Sequence, residues 1–215
     1  MITSYYNRFK EKYYQNRGQR FLSQGLNQKA YNCFEKAILL NNDYINQFNM
    51  GLVLTSMNKH QDALAYLEKV YELFPENEVI LTTIGETYTI LRQWDKAIEC
   101  YKKLHENHTD FSLYKNNYQR LLDPDLREKY VQSREFFFKG LLLQDQKLIN
   151  EALEAFQQAI ALDSNNAMLY NTIGIAMMIA KKDKKDIEYY FEKAVSLSPQ
   201  NEGFKRNLAR IKMKK

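Results

Sequence analysis

The sequence predicts an all-α fold, an α-solenoid of about five stacked antiparallel helix hairpins. Three observations carry that prediction. Gly18, Gly51, Gly85, Gly140 and Gly174 stand 33, 34, 55 and 34 residues apart, so five of the seven glycines share one register. In the first four copies a small, a large and an apolar residue follow the glycine by 12, 16 and 19 positions, and in the fifth copy each position comes one later. Within 150–166, NEALEAFQQAIALDSNN, the pattern is clearest: Ala152, Phe156 and Ala159 share one helical face, Glu and Gln cover the other, and Asp163-Ser164-Asn165-Asn166 ends the helix.

Glycine inside a helix costs about 1 kcal/mol relative to alanine. Accepting that cost five times at one position implies a steric need, and the expectation is that the backbone of another helix crosses there. A hairpin of this kind cannot bury both its faces alone, so the copies are expected to stack.

Taken in order, residues 1–10 carry little pattern and are expected to extend or fray from the first helix. Copy one holds Gly18, Ala30, Phe34 and Ala37, with Gly25 and Asn27 at the turn between its helices. Copy two holds Gly51, Ala63, Leu67 and Val70 and is closed by Pro75; copy three holds Gly85, Ala97, Tyr101 and Leu104. Copy four is Gly140, Ala152, Phe156 and Ala159. Copy five is Gly174, Ile187, Phe191 and Ala194, closed by Pro199, with a one-residue insertion placed in 181–185.

The 55-residue interval is one period plus 21 residues. Residues 111–122 read as a single helix stopped at Asp123-Pro124, where Asp caps and Pro begins the next helix. YKNNYQRL at 114–121 and FKRNLARI at 204–211 align as aromatic, Lys, variable, Asn, apolar, variable, Arg, apolar. Both are read as capping helices, one internal and one C-terminal. That gives residues 11–122 as three hairpins plus a cap, and 123–215 as two hairpins plus a cap. The helix from Pro124 is expected to run to about Leu143 and join the two arrays.

Composition sets broad limits. Charged residues make up 27% of the chain, and the most apolar windows, 136–143 and 173–180, are interrupted and too short to span a membrane. The N-terminus lacks an apolar signal region, so the expected compartment is the cytoplasm. Cys33 and Cys100 share a register position two copies apart, too far for a disulfide. The net charge of +5 is uneven: residues 1–110 balance at thirteen basic and thirteen acidic side chains, and the excess falls in 200–215.

Tyr14, Gly18, Phe21, Ala30 and Phe34 in copy one, Ile84, Gly85, Tyr88, Ala97 and Tyr101 in copy three, and Tyr170, Ile173, Gly174, Phe191, Ala194 and Pro199 in copy five match a known pattern. It is the 34-residue W-x2-L-G-x2-Y, A-x3-F, P pattern that the chain resembles, that of the tetratricopeptide repeat family. The departures are Leu54, Leu143 and Met177 where Tyr is usual, Val70 and Leu104 for the second Ala, and Ile187 for the first.

The resemblance implies a non-enzymatic interaction protein that binds a peptide or helix of a partner along an inner, concave wall made by the first helix of each hairpin. By that analogy Gln15, Asn16 and Gln19 line the wall in copy one, Phe48, Asn49 and Leu52 in copy two, and Thr82, Thr83 and Glu86 in copy three. In the second array the lining is Phe137, Phe138 and Leu141, then Asn171, Thr172 and Ile175. Amides, hydroxyls and apolar groups suit an extended or helical segment. Burial under the 21-residue insert is the competing reading for Phe137 and Phe138. Relatives that clamp a chaperone's terminal carboxylate use two Lys, one Arg and two Asn; the matching positions here are Gln15, Gln19, Asn49, Val79 and Thr83. Only Asn49 fits, and no cation is available to pair a carboxylate, so no carboxylate-clamp partner is expected.

No enzymatic constellation is legible, and no cofactor is implied. Every repeat glycine stands alone in a helix, so none cradles a phosphate. His105 and His108 near Cys100 lack a further ligand for a metal and sit where the helix dipole favours them. His60 is expected to be solvated, and Trp94 to pack between helices. Lys205, Arg206, Arg210, Lys212, Lys214 and Lys215 could contact nucleic acid or an anionic surface, extended by Lys181, Lys182, Lys184 and Lys185. Without interleaved aromatics they read first as favourable charge at a helix end. Self-association through an exposed terminal hairpin face is a third reading.

Overall fold

The structure, a computed structural model, describes residues 2–213, with side chains from Tyr5 onward. Those residues form twelve α-helices and no strand. They divide into two compact units, Met1–Asp123 and Pro124–Lys215. In the first, hairpins α1 (Ile2–Ser23) with α2 (Asn27–Leu40), α3 (Tyr44–Ser56) with α4 (His60–Leu73), and α5 (Glu78–Ile90) with α6 (Trp94–Asn107) precede a single helix α7 (Ser112–Leu122). In the second, α8 (Pro124–Asp145) pairs with α9 (Ile149–Leu162) and α10 (Ala167–Ile179) with α11 (Lys184–Leu197), before the closing helix α12 (Glu202–Met213). Within each unit every helix packs on its predecessor, and α7 and α12 lie on α6 and α11 as caps.

The first helix starts at Ile2, so most of the stretch expected to fray is helical. No Gly or Pro interrupts the chain before Gly18, and Arg8, Lys10, Glu11 and Lys12 are strong helix formers. Lys10 also lies 4.4 Å above the Tyr6 ring, one turn back.

The repeated core positions are fully enclosed. Phe34, Leu67, Phe156 and Phe191 are completely buried, and Tyr101 nearly so; four positions earlier Ala30, Ala63, Ala97 and Ala152 are also sealed from solvent, and Ile187 nearly so. These large side chains explain the glycines, and they correct the expectation of a crossing backbone. A Cβ on Gly18 would stand 2.5 Å from the Phe34 ring, one on Gly51 2.5 Å from Leu67 and one on Gly174 2.7 Å from the Phe191 ring; Gly140 meets Phe156 in the same way. Only at Gly85 is the fit looser, with Cys100 Cβ at 3.1 Å and Tyr101 at 3.2 Å. The glycine is the floor under a large side chain from the second helix of its own hairpin.

Seven residues after each glycine the chain takes a left-handed conformation, at Gly25 (φ 71°), Asn58 (59°), Arg92 (56°), Lys147 (66°) and Lys181 (53°). The amide that follows closes a Schellman turn, as in Leu26 N–H to Phe21 O at 2.9 Å and Leu148 N–H to Leu143 O at 2.9 Å. The extra residue of copy five falls just after this turn. There Asp183 caps α11, accepting from Lys185 N–H at 2.7 Å.

On α3, α5 and α10 the stripe facing the preceding hairpin is apolar and buried: Met50 and Leu54, then Ile80, Ile84 and Tyr88, then Leu169 and Ile173. On α1 the same register holds exposed Tyr13 and Arg17, and on α8 it holds exposed Glu135 and Lys139. Both unit-opening helices, each of 22 residues, thus carry solvent-compatible side chains where no hairpin of their unit precedes. At the other ends, Tyr114 and Leu121 of α7 and Phe204 and Ile211 of α12 are buried. Tyr114 donates to Glu78 on α5, and Asn207 donates to Asn171 on α10 at 2.8 Å. His60, expected in solvent, is buried with Nε2 3.0 Å from Asn58 Oδ1, because Asn58 turns back over the start of α4.

Two outcomes follow for stability. Gly140→Ala forces a methyl into the Phe156 ring and is expected to lose about 1–3 kcal/mol, whereas Gly85→Ala, with its looser contacts, loses less; urea denaturation of both variants ranks them. Lys147→Gly relieves a left-handed side chain and is expected to gain up to about 1 kcal/mol, read as a higher thermal midpoint.

Candidate functional site

The first helices of the hairpins carry the candidate wall, and its members differ widely in what they leave free. On α1, Asn16 and Gln19 are exposed, while Gln15 is half-buried. On α3, Phe48 and Leu52 are half-buried, Phe48 packing on the unit's core, and Asn49 is only 4% exposed. Asn49 Nδ2 has no hydrogen-bond partner. On α5, Thr82, Thr83 and Glu86 are half-buried. Both threonine hydroxyls donate to carbonyls one turn back, Thr82 to Glu78 O at 2.8 Å and Thr83 to Val79 O at 2.7 Å.

Gln15 belongs to a polar cluster that the sequence did not reveal. Its Nε2 donates to Glu11 Oε1 at 3.1 Å and to Asn46 Oδ1 at 3.0 Å. Asn41 Nδ2 and Asn46 Nδ2 reach the same Glu11 oxygen at 3.1 and 2.9 Å. Asn41 spends its second hydrogen on Asp43 Oδ2 at 3.0 Å, and Asn46 on the Asn41 carbonyl at 2.8 Å. A helix, a helix end and the next helix start are thereby tied together around one carboxylate. Amides at 15, 41 and 46 lie too far apart in sequence for any local pattern to flag them.

In the second unit the wall is tighter. Phe137 packs on Phe156, ring centroids 5.8 Å apart, and Leu141 joins the same core cluster, so their half-burial comes from α9. The Arg134 guanidinium lies 5.0 Å over the Phe138 ring. Asn171 is buried and its Oδ1 accepts from Asn207, so this amide helps to secure the cap. Thr172 is half-buried and Ile175 is exposed.

Profiles described as tetratricopeptide repeat match residues 54–121, 11–44 and 136–166. The chain belongs to the tetratricopeptide repeat family. Among relatives, Protein O-mannosyl-transferase TMTC1 of Homo sapiens is 24% identical over 216 residues, covering 91% of this chain and 24% of that protein. Protein arginine N-methyltransferase 9 of Homo sapiens is 30% identical over 63% of this chain and 15% of its own length. The peroxisomal targeting signal receptor of Saccharomyces cerevisiae is 20% identical over 82% of this chain and 32% of its own. The chain thus spans about a third or less of the relatives it matches. Among solved structures, MamA from Desulfovibrio magneticus RS-1 has 20% identity and a TM-score of 0.43 over 90% of this chain and 97% of that one. A thermophilic TPR protein of Thermus thermophilus has 14% identity and a TM-score of 0.48 over 94% and 99%.

Tetratricopeptide repeat arrays act as protein–protein interaction scaffolds. Cys33 and Cys100 are buried free thiols, and burial pushes the Cys100 thiol up to about 12. Among the described residues no three His, Cys, Asp or Glu side chains gather as metal ligands, and no helix is long and apolar enough to cross a membrane. Trp94 is half-buried against the unit's core. His105 lies beside Tyr118, ring centroids 6.1 Å apart, and His108 Nε2 is 3.6 Å from Glu78. Of the C-terminal cations, Lys205 pairs with Glu202 at 2.8 Å and Lys212 with Glu192 and Glu188 at 2.9 and 3.4 Å; Lys214 and Lys215 lie outside the described residues. A second basic surface was hidden by averaging over 1–110. Helix α1 carries Arg8, Lys10, Lys12, Arg17 and Arg20 against Glu11 alone, with Tyr5 and Phe9 79% and 67% exposed beside them.

The Cys100 shift fixes a pH response. The unfolded chain releases this proton near the ordinary value of 9.0, and the folded chain keeps it to about 12. Tyr88 is raised as well, by burial first and then by its hydrogen bond to Glu68. Above pH 9 the unfolded state therefore binds fewer protons and stability falls as pH rises. Denaturation midpoints are expected to decline over that range, and to decline less steeply in Cys100→Ala.

Proposed function

We propose that this chain is a non-enzymatic adaptor that holds an extended or helical segment of a partner protein on the wall carried by α1, α3 and α5. The observation that carries the reading is Asn49. A buried amide donor without a partner costs about 1–3 kcal/mol, and Asn49 Nδ2 is such a donor in the middle of the wall. A carbonyl of a bound segment would relieve it once the Asn49 side chain swings outward to meet it. The polarity around it is graded: exposed amides of Asn16 and Gln19 lie on one side, and the half-buried hydroxyls of Thr82 and Thr83, whose hydrogens go to backbone carbonyls, on the other. A partner main chain offers carbonyls to the first and N–H groups to the second. The family supports this role, and one relative is named as a receptor for a targeting signal.

Phe48 is a poor probe because it also packs on the core. Asn49→Ala is a better one, since it removes an unsatisfied donor and is expected to leave thermal stability unchanged or slightly raised. Combined with Asn16→Ala and Gln19→Ala, it is expected to weaken capture of partners from native lysate by about tenfold or more, quantified by mass spectrometry against the natural chain. Undiminished capture would place binding elsewhere.

A further inference from the structure

We infer that the open cavity beside Glu11 is a binding site for a guanidinium group, the side chain of an arginine presented by the partner. The cavity measures about 720 Å³ and lies under the N-terminal half of α1, against the end of α2 and the start of α3. Glu11, 8% exposed, forms part of its lining with Gln15, Asn41 and Asp43.

The cluster has no donor left to give. All six amide hydrogens of Gln15, Asn41 and Asn46 are already used, three of them on Glu11 Oε1. What remains are acceptors: Glu11 Oε2, Gln15 Oε1 and Asn41 Oδ1 take no hydrogen bond. Carboxylates this deeply buried are ordinarily paired with a cation, and among the described residues none is paired with Glu11. An occupant that donates hydrogen bonds and carries positive charge answers these acceptors, in competition with Arg8 and Lys12 on the rim. A guanidinium supplies five donors in a planar fork, enough to satisfy several separated acceptors at once, whereas an ammonium is a compact point charge. The C-terminal end of α2, at Leu40 and Asn41, adds the negative end of its dipole, and the N-terminus of α3 is already answered by Asp43.

The second unit supplies an internal control. Ser133 occupies the place of Glu11, seven residues before the repeat glycine, and is equally enclosed. Its hydroxyl donates to Ala159 O at 2.8 Å, and the space beside it shrinks to about 20 Å³. An unpaired carboxylate over an open cavity is therefore not a general consequence of opening an array. Arg8 and Lys12 line the rim of the first cavity without a hydrogen bond or ion pair.

The inference deepens the wall reading and rests on it for how the arginine arrives, but the cavity can be tested alone. The probe is acetyl-Gly-Arg-Gly-amide, titrated into the natural chain while the side-chain amide resonances of Gln15, Asn41 and Asn46 are followed by NMR. The arginine peptide is expected to shift all three saturably, the lysine counterpart to bind about tenfold more weakly, and the neutral citrulline counterpart to leave them unmoved. Glu11→Gln is expected to abolish the shifts, and Arg8→Ala with Lys12→Ala to strengthen them by removing like charge. No shift with the arginine peptide, equal shifts with citrulline or lysine, or loss of shifts in the Arg8/Lys12 variant would overturn the assignment. Asn49→Ala leaves the cavity intact, so it is expected to keep the peptide shifts even where it loses partner capture; failure of the wall and failure of the cavity are thereby read separately.

Discussion

Each hairpin depends on one contact, a large side chain from the second helix resting on a glycine of the first. Phe34 on Gly18, Leu67 on Gly51 and Phe191 on Gly174 leave no room for a methyl group. The contact fixes how closely and at what height the two helices meet. It also accounts for helices that tolerate glycine at their centres, since each forgoes about 1 kcal/mol of helix propensity and gains complete burial of an aromatic or leucine side chain, worth about 1.5–3 kcal/mol. The Schellman turn seven residues on is set by the same geometry. At each of these turns a left-handed residue reverses the chain, even where Asn58, Arg92, Lys147 or Lys181 must adopt it.

Because a hairpin closes only one of its faces, each unit must resolve its two ends separately. The closing ends are sealed by α7 and α12, whose buried aromatic and aliphatic residues replace a further hairpin. The opening ends are handled by sequence instead of by a cap: the stripe that is Ile80, Ile84 and Tyr88 on α5 becomes Tyr13, Arg17 and Phe21 on α1, with Arg17 donating to the Tyr13 hydroxyl at 2.7 Å and lying over both rings.

That division explains what was legible in the sequence. The glycine spacing, the 12, 16 and 19 offsets and the paired cap motifs report contacts within one hairpin or between neighbours, and they repeat, so they stand out without coordinates. The wall positions rest on analogy, and their individual character was not legible. Asn49 and Asn171 look alike in sequence, yet one has an idle donor and the other is bound by Asn207 from a helix 36 residues away. Glu11 looked like one charge among several on a polar helix, because its partners come from 30 and 35 positions further along. The basic face of α1 vanished in a charge balance taken over half the chain.

Two unmet groups of the first unit are neighbours. Asn46, which holds Glu11, and Asn49, whose Nδ2 is idle, are three residues apart on α3 and so share a face, about 5 Å apart along the axis. One lacks an acceptor, the other leaves a carboxylate without a cation. A single arginine residue in an extended segment offers both: its own main-chain carbonyl to Asn49 and its side chain to Glu11. A lone cation would satisfy the cavity but not the amide, and a lone carbonyl the amide but not the cavity. The pairing of these two deficits on adjacent turns of one helix is what favours a peptide over either a free ion or an unselective apolar contact.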